Sequence, residues 1–376
     1  MSGIYIHIPF CKKACHYCNF HFSTSQKYRA AYVDALLKEI EIKKTLPFNN
    51  TINTIYFGGG TPSQLDIKHI SRIVESLYKN YPIASEIEFT IEANPDDLSI
   101  EKLKSYHALG VNRLSIGIQS FNTKDLLYLN RLHDSSMAAS SIKNAQDNGF
   151  TNINIDLIYG LPTQSLKDWT KNLNTFFDLN IPHLSAYCLT VEPKTPLDVL
   201  IKKGTVAPVD ETQGIRHYKK LIESIKQKGF AQYEISNFAK NECYSKHNLS
   251  YWQQKAYLGF GASAHSYYGD TRSWNISNTS AYIRNINNHI PFSESENLYT
   301  LTKYNEYVLT SLRTMWGIDL NYIKYTFGDY YLTYLSGLTP PYIQNRQVLL
   351  KENSIQLSET GKLFADKIAS DFFIVM

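Results

Sequence analysis

Apolar and polar positions alternate in short runs at regular intervals: GIYIHI (3–8), TINTIYF (51–57), EIEFTIE (86–92), RLSIGIQ (113–119), NINIDLIY (152–159) and HLSAYCLT (183–190). Each has the length and the β-branched or aromatic content of a strand. Between them apolar residues recur at helical spacing, as in YVDALLKEIEIKK (32–44), and Ser99 before and Gly110 after IEKLKSYHALG read as a helix start and stop. Strand and helix in this rhythm predict parallel pairing through right-handed crossovers, in either a doubly wound sheet or a barrel.

The strand ends choose between the two. The first strand runs into a cysteine loop and the second into Gly58-Gly59-Gly60-Thr61-Pro62; Glu92 and Gln119 close the third and fourth, and Asp156 lies within the fifth. A barrel gathers such C-terminal ends at one mouth, whereas an open sheet spreads them along a line. The expected fold is therefore α/β, a partial (β/α)6 TIM-like barrel spanning 1–238, with QYEISNF (232–238) as an added edge strand. Residues 239–296 read as an aromatic-rich, irregular connecting region containing KHNLSYW and YLGFGASAHS. Residues 297–376, with helical runs, the hairpin QVLLKENSIQLS and a closing helix, predict a small α+β domain resembling a winged helix. Its possible wing carries both Lys351 and Glu352 and its helices are not basic, so a cap on the barrel is expected rather than a DNA reader.

Composition changes this picture little. With 43% apolar and 19% charged residues among 376, and no low-complexity tract, the chain reads as globular throughout. No apolar run reaches the roughly 18 residues of a transmembrane segment, and the N-terminus lacks the order of a signal peptide, so a cytoplasmic protein is expected. A net charge of +4, scattered along the chain, predicts no nucleic-acid partner. The five cysteines are an odd number with three clustered, which points to metal or redox chemistry rather than a disulfide framework.

Cys11, Cys15 and Cys18 stand in C-x3-C-x2-C spacing. With His7, His16 or His21 they would complete a tetrahedral zinc site. Alternatively they hold a 4Fe-4S cluster, which normally takes one thiolate per iron, so that three leave one iron open. An open iron can be chelated by the amino and carboxylate groups of S-adenosylmethionine, and reduction of the cluster then permits homolysis of the sulfonium. The glycines of GGGTP allow backbone to approach a ligand closely, although the segment also reads as a plain tight turn. Taken singly, Glu92 could pair with a core arginine, Gln119 cap a helix, Arg131 be a surface charge and Asp156 satisfy backbone.

The cysteine spacing after a first strand, with Tyr17 before the last cysteine, resembles the signature of the radical SAM superfamily, whose fold is a partial (β/α)6 barrel. That resemblance favours the cluster over zinc. It further implies that Gly59, Gly60 and Thr61 lie along the methionine moiety of S-adenosylmethionine. In the coproporphyrinogen dehydrogenase branch the matching contacts are Glu92 in IEANP, Gln119 in GIQSF, Arg131 in LNRLH and Asp156 in DLIYGLP. The carboxylates would accept from ribose hydroxyls and Arg131 would face the methionine carboxylate or ribose region, with Tyr5 near the cluster.

Two departures separate the chain from the dehydrogenases. Phe20 stands where they carry a further cysteine, and the sequence opens almost directly on the first strand, where they have an extension contributing to the substrate site. His247-Asn248-x-x-Tyr251-Trp252, with YEISNFAK and YLGFGASAHS, instead resembles a heme-chaperone branch of the superfamily. The resemblance implies binding of heme and its transfer to an acceptor protein of unknown identity, with S-adenosylmethionine bound and its cleavage left open. The enzymatic alternative is oxygen-independent oxidative decarboxylation of coproporphyrinogen III. His247 is the expected heme residue, since imidazole is a natural axial ligand and Tyr and Trp offer flat surface to a macrocycle. A purely structural tie between edge strand and barrel is the other reading of the motif. Cys243 reads as an ordinary thiol, Cys188 and His265 receive no role, and the 28 tyrosines fit a porphyrin surface or strand packing equally.

Overall fold

The computed structural model describes residues 2–375. Six parallel strands pair in chain order: β1 (Ser2–Ile8), β2 (Ile52–Gly59), β3 (Ile83–Ala93), β4 (Arg113–Gln119), β5 (Asn152–Tyr159) and β6 (His183–Cys188). A helix or pair of helices follows each, and β1 and β6 are not bonded to one another, so the barrel is open. The helix Ile100–Ala108 begins where its sequence says, with the Ser99 side chain accepting from the Lys102 N–H.

The open sides are extended rather than left bare. Next to β6 lie β7 (Ala231–Glu234) and β8 (Asn237–Ala239), with β8 antiparallel to β6, so the stretch expected as one edge strand is folded into a tight hairpin. On the other side β9 (Tyr257–Phe260) runs parallel to β1, followed antiparallel by β10 (His265–Tyr268), β11 (Thr271–Asn275) and β12 (Ser293–Asn297). The stretch whose sequence looks irregular thus adds four strands to one twelve-stranded sheet. These strands are only four or five residues long, at the short end of the run that alternation needs to declare itself, which is why periodicity does not reveal them.

A buried ion pair fixes β9–β11 to the first helix, Arg29–Lys43. Glu39 and Lys43, one turn apart, are both buried, with Lys43 Nζ 2.7 Å from the Glu39 carboxylate. Glu39 also accepts from the Gly261 N–H at 2.7 Å, from Asn275 Nδ2 at 2.6 Å and from the Tyr282 hydroxyl. Lys43 donates to the Gly259 carbonyl at 2.8 Å. Every polar group in the cluster therefore has a partner, the condition under which a buried pair is tolerated.

The C-terminal residues form a second core around Tyr304, Val308, Leu335, Ile355 and Phe372, with a small antiparallel sheet of β13 (Ile318–Asp319), β14 (Val348–Lys351) and β15 (Ser354–Leu357). It packs on the barrel edge: Ile235 N–H donates to the Arg313 carbonyl, Met315 N–H to the Tyr233 carbonyl, and Lys362 Nζ to Gln232 Oε1. Among the described residues no helix is long and apolar enough to cross a membrane.

Replacing Lys43 by methionine strips Glu39 of its counter-charge in a buried site, and a loss of about 3–5 kcal/mol is expected. A denaturant melt of Lys43→Met with an unshifted midpoint would show that the pair does not clamp the two layers.

Candidate functional site

The cysteine loop starts where β1 ends and is tied at both sides. Cys11 N–H donates to the Ser23 carbonyl at 3.0 Å and Ser23 N–H to the Pro9 carbonyl at 2.6 Å, closing the base of the loop. Its far side is hooked to residues 128–130, with His16 N–H on the Leu129 carbonyl, His16 Nδ1 2.8 Å from the Tyr128 carbonyl, and Asn130 Nδ2 on the Ala14 carbonyl at 2.7 Å. Asn130 has φ 62°, a left-handed conformation that Asn adopts more readily than most side chains. The turn it makes delivers Arg131, one residue on, to the same loop.

A cavity of about 420 Å³ opens at the strand ends, and Cys11, Cys15 and Cys18 line it together with Gly59, Gly60, Thr61, Glu92, Gln119, Arg131 and Asp156. Residues from five strand ends thus meet in one place, as the sequence leads one to expect. Gly60 is where backbone must come close: a Cβ there would lie 3.1 Å from Cys11 Sγ and 3.0 Å from the Pro9 carbonyl carbon. Gln119 ends β4 at φ 66°, just past a register shift against β5, so its side chain is re-aimed by a strained residue at the mouth.

Arg131 organises the floor. Its Nη1 donates to Cys15 Sγ at 3.3 Å, and its Nη2 to Asn94 Oδ1 at 2.6 Å and the Gly117 carbonyl at 2.7 Å. Its Nε is buried without a partner among the described residues. Asn94 also donates to the Thr61 hydroxyl, which in turn donates to Cys11 Sγ, each at 3.4 Å. Asn94 and Gly117 were not singled out in the sequence, although Asn94 sits two positions beyond Glu92 in IEANP.

Burial pushes the Glu92 carboxyl up to about 7, aided by nearby Asp156 and opposed by hydrogen bonds from the Tyr56 hydroxyl (2.8 Å) and the Gly59 N–H (3.2 Å). Asp156 is raised for the same first reason, against a hydrogen bond from Asn154 Nδ2 at 2.9 Å. Burial likewise raises the Cys11 thiol to about 11, with Thr61 opposing and the thiols of Cys18 and Cys15 adding to the rise. A bound metal reverses that balance, because a coordinating thiol loses its proton.

The donor set fits an iron-sulfur cluster. The three thiols line one wall, and among the described residues no three His, Cys, Asp or Glu side chains converge on a single-ion site. A cluster with each thiolate on its own iron does not need such convergence. The unpartnered Arg131 Nε suits an anionic group held beside the cluster.

Tyr5 and His247 lie elsewhere. Tyr5 does not line this cavity; its hydroxyl is 3.1 Å from His7 Nδ1, and its ring stacks 6.2 Å from that of Tyr56. His247 is fully buried inside the barrel on the helix Lys246–Trp252, whose first N–H groups are held by Glu88. Its Nδ1 is 2.7 Å from the Thr54 hydroxyl, its Nε2 is 2.7 Å from the Tyr251 hydroxyl, and the ring stacks on Tyr56 at 5.0 Å. Burial drives its pKa down to about 3, so the ring is neutral. In this conformation neither nitrogen is open to an iron; the geometry is that of a plug at the base of the barrel, and the expected axial ligand is not placed at a cavity.

An open six-unit barrel with three cysteines on the loop after its first strand defines the class of radical SAM proteins, and residues 5–176 match the Radical SAM superfamily. The chain is 36% identical to the heme chaperone HemW of Bacillus subtilis (strain 168), covering 99% of each chain. It is 35% identical to the heme chaperone HemW of Escherichia coli (strain K12), over 70% of this chain and 69% of that one. Among solved structures, coproporphyrinogen III oxidase (HemN) from Escherichia coli, titled a radical SAM enzyme, superposes with a TM-score of 0.86 at 26% identity, covering 99% of this chain and 89% of that chain. The chain belongs to the radical SAM superfamily and, within it, to the HemW family, and the superfamily implies a 4Fe-4S cluster and S-adenosylmethionine.

Truncating His247 to alanine leaves the Thr54 and Tyr251 hydroxyls without partners in a buried void. A stability loss of about 2–4 kcal/mol is expected, read as a lowered thermal midpoint in protein that has not met heme; an unchanged midpoint would remove the plug.

Proposed function

We propose that this protein is a heme chaperone of the cytoplasm, one that takes up heme and passes it to an acceptor protein, built on a radical SAM core. The observation that carries this reading is the full-length similarity to a heme chaperone, 36% over 99% of both chains, with the HNxxYW motif present at 247–252. Phe20 supports it. At the position where the dehydrogenase branch adds a cysteine, this chain puts an aromatic ring that is 69% exposed at the cavity mouth. Coproporphyrinogen III oxidation remains the second reading, because the HemN structure aligns along 99% of the chain.

In this proposal Cys11, Cys15 and Cys18 hold the cluster. Gly59, Gly60 and Thr61 lie along the methionine part of S-adenosylmethionine, Arg131 faces its carboxylate, Glu92 and Asp156 accept from the ribose, and Gln119 closes the mouth. Tyr5 serves from behind, through His7 and Tyr56 rather than by direct contact. The chemistry such a group supplies when bound is one-electron cleavage of the sulfonium. The chain's own residues orient the nucleotide and keep water from it, and His247 holds Tyr251 in the wall of a neighbouring cavity.

Two outcomes test this. Cluster-loaded protein given coproporphyrinogen III, S-adenosylmethionine and a reductant should form no protoporphyrinogen while binding hemin with a distinct Soret band; steady turnover would transfer the assignment to the dehydrogenases. Because Glu92 holds its proton up to about pH 7 and only the carboxylate accepts from two hydroxyls, affinity for S-adenosylmethionine should rise as pH increases from 6 to 8. Calorimetry on Glu92→Gln should show weaker binding without that rise, and an identical pH profile in the variant would exclude Glu92 as the ribose acceptor.

A further inference from the structure

On the other side of the cysteine loop lies a second cavity of about 480 Å³, whose lining includes Phe20, Tyr251, Lys255, Tyr257, His265 and Tyr267. Phe20 lines both cavities, so the two share a wall. Its volume falls in the range of about 300–1,000 Å³ usual for small-molecule sites. Five tyrosine or phenylalanine rings line it, with three imidazoles and the Lys255 ammonium group among them, which is the chemistry of a flat macrocycle bearing a metal and carboxylates.

The histidines of this cavity are not equivalent. His7 has both nitrogens engaged, Nδ1 with the Tyr5 hydroxyl and Nε2 with the His21 carbonyl, and His21 Nε2 is bound to the Thr279 hydroxyl. His265, exposed on β10, makes no side-chain hydrogen bond to any described residue. Its backbone is nonetheless fixed. β10 packs so tightly on β9 that a Cβ on Gly259 would lie 2.0 Å from the His265 carbonyl oxygen, and the next residue, Ser266, accepts from the Gly259 N–H at 2.9 Å. A rigid backbone carrying an unengaged imidazole is a preorganised ligand. Partial burial first and the Arg272 charge second lower its pKa. Tyr257, the other potential donor nearby, has its hydroxyl pushed up to about 12 by burial and stays a phenol.

The cations divide in the same way. Arg272 is committed to Glu296 at 2.7 Å and to Glu306 at 2.5 Å. Lys255 is exposed, and its ammonium makes no ion pair or hydrogen bond to any described residue.

We infer that this second cavity is where heme is held, with His265 as the axial ligand to iron and Lys255 opposite a propionate. The inference rests on the heme-chaperone reading and names its binding site; Tyr251, fixed by His247, makes HNxxYW a wall of that site rather than its iron ligand.

The test uses the full, cluster-reconstituted chain and hemin. In His265→Gly the affinity should fall roughly tenfold or more, an effect on the scale of losing a metal-site group, and the Soret maximum of the histidine-ligated hemin should shift and return on adding imidazole. Lys255→Glu should weaken hemin binding while keeping the wild-type Soret maximum. A His265→Gly variant that binds hemin with the wild-type spectrum overturns the site and leaves the chaperone function standing, as would transfer of the ligand signature to His21→Gly. Failure of the unaltered protein to bind hemin overturns the function itself. Should His265→Gly not fold, the unaltered protein still decides. Diethylpyrocarbonate should label exposed His265 and hemin should block that labelling, whereas equal labelling with and without hemin overturns the assignment.

Discussion

β1 is the strand on which the rest is hung, because it has a parallel neighbour on each side. Ile8 is in register with Gly59 of β2, and Ile6 with Phe260 of β9, so the strand is held along its length by two ladders and is buried on both faces. The loop that follows therefore leaves the sheet from a fixed point. On the β2 side it meets Gly59, Gly60 and the ends of β3–β5, which gives the first cavity. On the β9 side it meets the turn into β10 and β11, which gives the second. Without β9 the barrel would end at β1 and the cysteine loop would have solvent on one side; with it, the loop becomes a partition between two open cavities.

How far this was legible in the sequence follows from which forces act locally. Strand periodicity and the polar residues at strand ends are local signals, so the barrel and its mouth could be read directly, and the strand-end residues expected there, Tyr5 apart, line one cavity. The four strands after residue 256 are short, exposed in part and held by long-range partners, above all by Glu39 and Lys43, which in the helix look like an ordinary surface pair one turn apart. The buried fate of that pair depends on Asn275, Gly261 and Tyr282, more than 200 positions away. His247 shows the limit from the other side. Its motif was recognisable and its chemistry suits iron, but sequence carries no information on whether both ring nitrogens are already bonded, and here Thr54 and Tyr251 take them.

The electrostatics of the first cavity show a site arranged around charge that arrives with its ligands. Left alone, the Cys11 thiol sits high because burial and neighbouring thiols oppose its ionisation, and Glu92 and Asp156 are held up by burial together. Arg131, a permanent charge in this cavity, is braced by Asn94 and the Gly117 carbonyl while reaching Cys15. Binding iron would expel the thiol protons and place net negative sulfur beside a guanidinium already in position, so little reorganisation is left to do. The Asn94–Thr61–Cys11 chain extends the same bracing to the second sulfur.

Phe20 brings the two sides together. A thiol at this position would be small and able to react or ligate; the phenyl ring does neither, and what it offers is area. Exposed at 69%, it is an apolar surface where the two cavities meet. Such a surface gains most from a large flat partner, since burying an aromatic ring is worth about 2–3 kcal/mol when water is displaced from it. A ring in place of a sulfur offers this neighbourhood adhesion rather than chemistry, while the loop carrying the three thiols is tied back through His16 and Ser23 rather than through residue 20.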